Sequence, residues 1–241
     1  MIKRIHRRKP RRTKLLIRRI IVVGIPVFIS FIIVFCSILL WKKSHKEQCS
    51  AFVKEDRKMT EEDTNKVEQP EIEEALLTPN EYSRPQLPLE EVKGIVIHYT
   101  ANPGTDAMNN RKYFESLKET HAASASSHFI IGLDGTIVQC IPLDEIAYAS
   151  NERNADTISI ECCHKTEDGE FTDETYQSLI KLTAWLCGEY DLGEEDIIRH
   201  YDVTGKICPK YYVEHEDLWK TLKQDVFEYI DMYALNEEEE E

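Results

Sequence analysis

The stretch "VKGIVIHYT" (residues 92–100) is a short, mostly β-branched run that ends in a histidine. Its composition and length read as a buried strand closing near His98. Working outward, "SHFIIGLDGTIVQCIP" (127–142) is two apolar runs around Asp134–Gly135, which predicts a hairpin. "TISIECC" (157–163) reads as another strand, and "EDIIRH" (195–200) as a short one ending at His200. Between them, "TDETYQSLIKLTAWLCGEY" (172–190) places Tyr176, Leu179, Ile180, Thr183, Leu186, Cys187 and Tyr190 at helical spacing, with Asp173 and Glu174 suited to its N-terminus. Met108, Phe114 and Leu117 mark an earlier helix, and "HEDLWKTLKQDVFEYIDMY" (215–233) a last amphipathic one. Strands interleaved with helices, plus a hairpin, predict an α/β fold with a mixed central sheet flanked by helices.

The flanks have a different character. The net charge of −14 hides a split: residues 1–46 hold 13 Lys or Arg and no acid, which leaves 17 basic against 44 acidic side chains in the remainder. So acidic a body argues against nucleic acid as a partner, because phosphate binding needs clustered positive charge. Ile20 to Trp41 is a run of 22 residues without a charge, long enough as a helix at about 1.5 Å per residue to span a hydrocarbon core of roughly 30 Å. Ten Lys or Arg precede it and three follow closely. The expectation is a single-pass anchor in the cell membrane, with a basic cytoplasmic head (1–19) and the C-terminal body outside. A cleavable signal peptide is the competing reading, but its apolar region would be shorter and end in small residues. Residues 42–88 are rich in charge, Thr and Pro and poor in aromatics, and read as a flexible acidic stem. The folded domain is expected over 89–235, with an acidic tail at 236–241. None of the seven cysteines has the spacing of a disulfide framework or zinc ribbon.

The chemistry concentrates at strand ends. Ligands of open sheets gather beyond the ends of strands, so His98 and His200 are candidates to face one another. Cys208 returns eight residues after His200, past Gly205. Two imidazoles and a thiolate make a three-ligand Zn2+ site with a fourth position open. Each residue alone has a bland alternative: a surface histidine, or a cysteine acting as a small hydrophobe. Glu161 interrupts an apolar strand. Either it faces solvent, or it is a carboxylate aimed at the site as general base. Lys206, two residues before Cys208, is either an ordinary loop lysine or a cation placed to stabilise an oxyanion.

Four motifs then occur in order: "IVIHYTAN" (95–102), "SSHFIIGLDGTIVQCIP" (126–142), "RNADTISIE" (153–161) and "RHYDVTGKICP" (199–209). Together they resemble the type 2 zinc N-acetylmuramoyl-L-alanine amidases, whose fold is shared with peptidoglycan recognition proteins and phage amidase lysozymes. The resemblance covers about residues 90–210. It implies cleavage of the amide between muramic acid and the first L-alanine of peptidoglycan. It also implies His98, His200 and Cys208 as zinc ligands, Lys206 as transition-state stabiliser and Glu161 as the group that activates water. Arg153 and Asn154 match a pair that lies beside the bound muropeptide in some relatives. His128 matches a histidine that does not bind metal, expected to be structural or to line the cleft. Three departures stand out. Ser127 replaces a tyrosine that phage members use near the metal, Tyr148 stands where many relatives have histidine, and Cys208 stands where some have aspartate. The competing function is a module that grips peptidoglycan without cutting it, which loss of the third ligand would mark.

Overall fold

The computed structural model describes residues 66–237. The expected anchor at 20–41, its basic head and the last residues of the acidic tail lie outside the described residues, and no described helix is long and apolar enough to cross a membrane.

Six strands form one sheet: β1 (Glu73–Glu74), β2 (Ile95–Tyr99), β3 (Phe129–Ile131), β4 (Ile137–Gln139), β5 (Ile158–Cys162) and β6 (Ile197–Arg199). Their order is β1-β4-β3-β5-β2-β6. Only the β3–β4 pair is antiparallel, so the sheet is mixed, as expected. The turn between β3 and β4 is the one read around Asp134–Gly135. Gly135 has φ +83°, and a Cβ there would stand 2.8 Å from Ser178 Oγ and 2.9 Å from the Glu174 carbonyl, which leaves glycine alone at that position.

Side chains alternate across the sheet and decide where a site is possible. Ile95 and Ile97 of β2, Phe129 and Ile131 of β3, and Ile158, Ile160 and Cys162 of β5 all belong to the larger core cluster. That face is closed by α2 (Asp173–Tyr190) and α5 (Glu216–Glu237), which pack on each other. The sequence pattern of α2 is borne out. Thr172 caps its N-terminus, and Leu179, Ile180, Thr183, Leu186 and Cys187 are buried. The opposite face carries Ile130, Val138 and Cys163, covered by Phe114 and Leu117 of α1 (Ala107–Thr120). α1 packs on β3 and β4. The same face of β2 and β5 carries His98 and Glu161, which pair directly across the strands and line a cleft instead of a core.

Two boundaries differ from the sequence reading. Residues 67–88 do not continue the stem. β1 pairs with β4, and Val67 and Leu77 are buried. Arg111 donates to the carbonyls of Ala75 and Leu76, and Arg84 forms a two-pronged ion pair with Glu145 at 2.7 and 2.8 Å. The segment has too few apolar residues to fold alone, and it acquires order by completing the open edge of β4 and pairing with half-buried charges. β6 also stops at Arg199: His200 opens a short helix, α3 (His200–Thr204), closed by Gly205 at φ +77°. A last short helix, α4 (Lys210–Glu214), leads into α5, which runs past residue 235.

Candidate active site

His98 is the fourth residue of β2, and His200 follows β6, the neighbouring parallel strand. The two imidazoles meet edge to face with centroids 4.7 Å apart. Arg199 anchors this junction. Its guanidinium is bound by Asp202, by Glu216 and by the Tyr212 carbonyl, which pins α3 against α4 and α5. After Gly205 the chain doubles back, and the Tyr201 N–H donates to the Cys208 carbonyl. That turn brings Cys208 Sγ to 3.7 Å from His98 Nδ1. One donor atom from each of His98, His200 and Cys208 lies within 4.8 Å of the others, and all three residues are buried.

The polar atoms here are under-satisfied. His200 Nδ1 and Glu161 Oε2 are buried without a hydrogen-bond partner, a condition that costs about 1–3 kcal/mol for a neutral group. Burial pushes the His98 pKa well below its usual value, and the neighbouring His200 and Lys206 charges push it further. His200 is lowered chiefly by burial and then by Lys206. Burial raises Glu161 to about 8, with Lys206 opposing, and raises the Cys208 thiol to about 12. Two neutral imidazoles, one with a bare buried nitrogen, and a buried thiol whose pKa Lys206 lowers too little to offset burial form a donor set that suits a divalent zinc-like cation.

The site opens into a cleft of about 380 Å³. His98, Glu161, His200 and Lys206 line it. Phe114, the loop 124–126 and Tyr148 form the other walls. The five residues assigned to metal and catalysis are therefore brought together. Tyr148 is at the cleft, where many relatives were expected to have histidine.

The three residues assigned to substrate fare differently. His128 is buried. Its Nδ1 is 3.0 Å from Ser159 Oγ and its Nε2 is 3.0 Å from the Glu145 carbonyl. Both ring nitrogens are engaged and the residue does not line the cleft, so of the two expectations the substrate-facing one is corrected and the structural one stands. Arg153 is not at the cleft: its Nε pairs with Asp156 at 2.7 Å and its guanidinium lies against Gly94. Asn154 does line the cleft, but its Oδ1 accepts from the backbone of Ala149 and Ser150. Ser127, in place of a tyrosine, turns inward to the Phe129 and Ser159 carbonyls. Ser150 and Asn151, which hydrogen-bond the two histidines, went unread in the sequence. No periodicity or motif marks them, because their partners are 52 and 49 residues away.

The sequence model of the N-acetylmuramoyl-L-alanine amidase family matches residues 88–211. The N-acetylmuramoyl-L-alanine amidase CwlL of Bacillus licheniformis is 37% identical over 161 residues, covering 61% of this chain and 44% of that protein. The N-acetylmuramoyl-L-alanine amidase BlyA of Bacillus subtilis is 33% identical over 168 residues, again 61% and 44%. The chain thus spans less than half the length of these relatives. Among solved structures, the PlyG catalytic domain superposes with a TM-score of 0.57 at 25% identity, covering 66% of this chain and 94% of that one.

Proposed function

The chain belongs to the N-acetylmuramoyl-L-alanine amidase family, and on that premise we propose that it hydrolyses the amide between N-acetylmuramic acid and L-alanine in peptidoglycan with the help of zinc. The observation that carries the reading is the convergence of His98, His200 and Cys208 within 4.8 Å, with both histidines lining a cleft that Glu161 and Lys206 line as well. His98, His200 and Cys208 would hold the ion. When bound, it supplies Lewis-acid polarisation of a carbonyl and acidification of a water.

The chain's own groups do the rest. Glu161 sits beside His98 across the β2–β5 pair, within a desolvated wall that raises its pKa to about 8. A carboxylate made basic by burial is suited to accept a proton as water attacks and to return it to the departing alanine nitrogen. Lys206, on the wall of the same cleft, places positive charge where the carbonyl oxygen becomes negative. Peptidoglycan binding without cleavage would not need these two groups beside a complete ligand set.

The uncharged run 20–41 and the excess of Lys and Arg before it support a membrane anchor with the catalytic domain outside the cytoplasm. Purified cell wall incubated with the chain should yield new L-alanine amino termini, and chelation should stop their release. No new termini with the zinc-loaded chain would overturn the reading. Protease added to intact spheroplasts should remove the domain; complete protection would reverse the orientation.

A further inference from the structure

The two candidate histidine ligands share one support. His98 Nε2 lies 3.2 Å from Ser150 Oγ, and His200 Nε2 lies 3.0 Å from Asn151 Oδ1. Two consecutive residues of one loop therefore grip the outer nitrogens of both rings. Ser150 is itself buried, and His98 is the partner its hydroxyl finds among the described residues.

The loop is built to hold this pose. Asn151 has φ +54°, a left-handed conformation that Asn adopts at less cost than most residues. It opens the 3-10 helix Asn151–Ala155. Asn154 Oδ1 reaches back to accept from the N–H groups of Ala149 and Ser150, and the Arg153 N–H donates to the Ser150 carbonyl at 3.0 Å. Below, the Thr157 hydroxyl donates to the Arg153 carbonyl at 2.6 Å. The loop is thereby closed from both sides.

Hydrogen-bond polarity gives the contact its consequence. An amide oxygen only accepts, so the His200 nitrogen facing Asn151 must carry its proton on Nε2. A neutral imidazole protonated at Nε2 has a bare lone pair at Nδ1. His200 Nδ1 is the buried atom that lacks a partner. His98 shares the geometry, though a hydroxyl can donate or accept: with Ser150 at Nε2, its Nδ1 is the nitrogen turned towards Cys208 Sγ at 3.7 Å.

We infer that Ser150 and Asn151 are positioning residues: Asn151 fixes His200 as the Nε2–H tautomer, Ser150 holds the His98 ring by its Nε2, and both Nδ1 atoms are so presented, with Cys208 Sγ, to one divalent cation. Asn154, matched by resemblance to a substrate contact, serves the same loop by holding its backbone. Outer partners of this kind orient a ligand ring and typically change metal affinity by about 10–100-fold when removed.

This inference rests on the zinc reading for its ion but not for its tautomer, so two measurements separate them. The first is zinc affinity of the 241-residue chain by competition with a chromophoric chelator. Asn151→Gly removes the acceptor while tolerating the positive φ, and should weaken zinc binding about 10–100-fold. Ser150→Ala should weaken it in the same direction. Asn151→Asp, which restores an acceptor and tolerates the backbone, should recover most of the loss. Parent-like affinity in Asn151→Gly would overturn the inference. The second is nitrogen NMR of the histidine rings in the metal-free parent chain. Nε2–H on His200 is expected, and Nδ1–H there would overturn the inference even if the variants fail to fold. A parent chain that binds no zinc would sink the zinc reading alone, because the tautomer is read without metal.

Discussion

Glu161 and Ser159 lie two residues apart on the same face of β5, and each neighbours a buried histidine. Around Ser159, nearly every polar atom is used. His128 spends both ring nitrogens on Ser159 and the Glu145 carbonyl, while Ser127 Oγ donates to the Phe129 and Ser159 carbonyls. Around Glu161 the account stays open, with Oε2 and His200 Nδ1 unpartnered. Strand and sheet face are alike, so neither distinguishes the two. Saturation separates this pair: the cluster with its bonds made adds rigidity, whereas the one with bonds missing carries a cost that a bound group would relieve.

The difference is open to attack from the active side first. Glu161→Gln keeps size and removes the base, and should lower turnover on cell wall by about 10²–10⁴-fold while leaving zinc content unchanged. Near-parent turnover would move the base elsewhere. Lys206→Ala should lower kcat by about 10²–10³-fold with little change in substrate binding, the scale for one lost oxyanion donor. An equal effect on binding would make Lys206 a ground-state contact.

The structural side should respond in the opposite way. His128→Ala strands Ser159 Oγ and the Glu145 carbonyl in a buried space, and should cost about 2–4 kcal/mol in unfolding free energy with zinc content per folded chain intact. Loss of metal without loss of stability would assign His128 to the site after all. The smallest effect is a slope with pH. Burial lowers the His128 pKa to about 4, with the Glu145 carbonyl opposing, against an ordinary 6.5. Between these values the unfolded chain binds the proton and the folded chain does not. Stability should thus be fully present above pH 6.5 and fall as the pH drops towards 4, by up to about 1.4 kcal/mol per unit from this group. In His128→Asn that contribution to the slope should vanish, as urea titrations across the range would report.

Much of this was legible beforehand. Strands β2, β3, β4 and β5, the turn at Gly135 and the helix α2 follow from patterns only a few residues long. The residues of the candidate centre were legible because chemistry-bearing types interrupt such patterns: Glu161 in an apolar strand, His98 and His200 at strand limits. The segment 67–88 was misread because its order comes from an edge supplied by β4 and from Arg84, Arg111, Glu115 and Glu145, none of which a local window connects. The sequence leaves His128 between two roles because its two partners, at 159 and 145, saturate it only once the sheet is assembled.

The sequence by itself determined the periodicities, and with them the mixed sheet, the helices that close one face, and the residue types available to a site. Those depend on interactions between neighbours along the chain. Only the tertiary structure decided which polar side chains were left unsatisfied, that Cys208 turns back to His98 across 110 residues, and that Ser150 and Asn151 hold both histidines. Hydrogen-bond saturation is set by distances between segments remote in sequence, and burial, which makes its absence costly, exists only after the chain has folded.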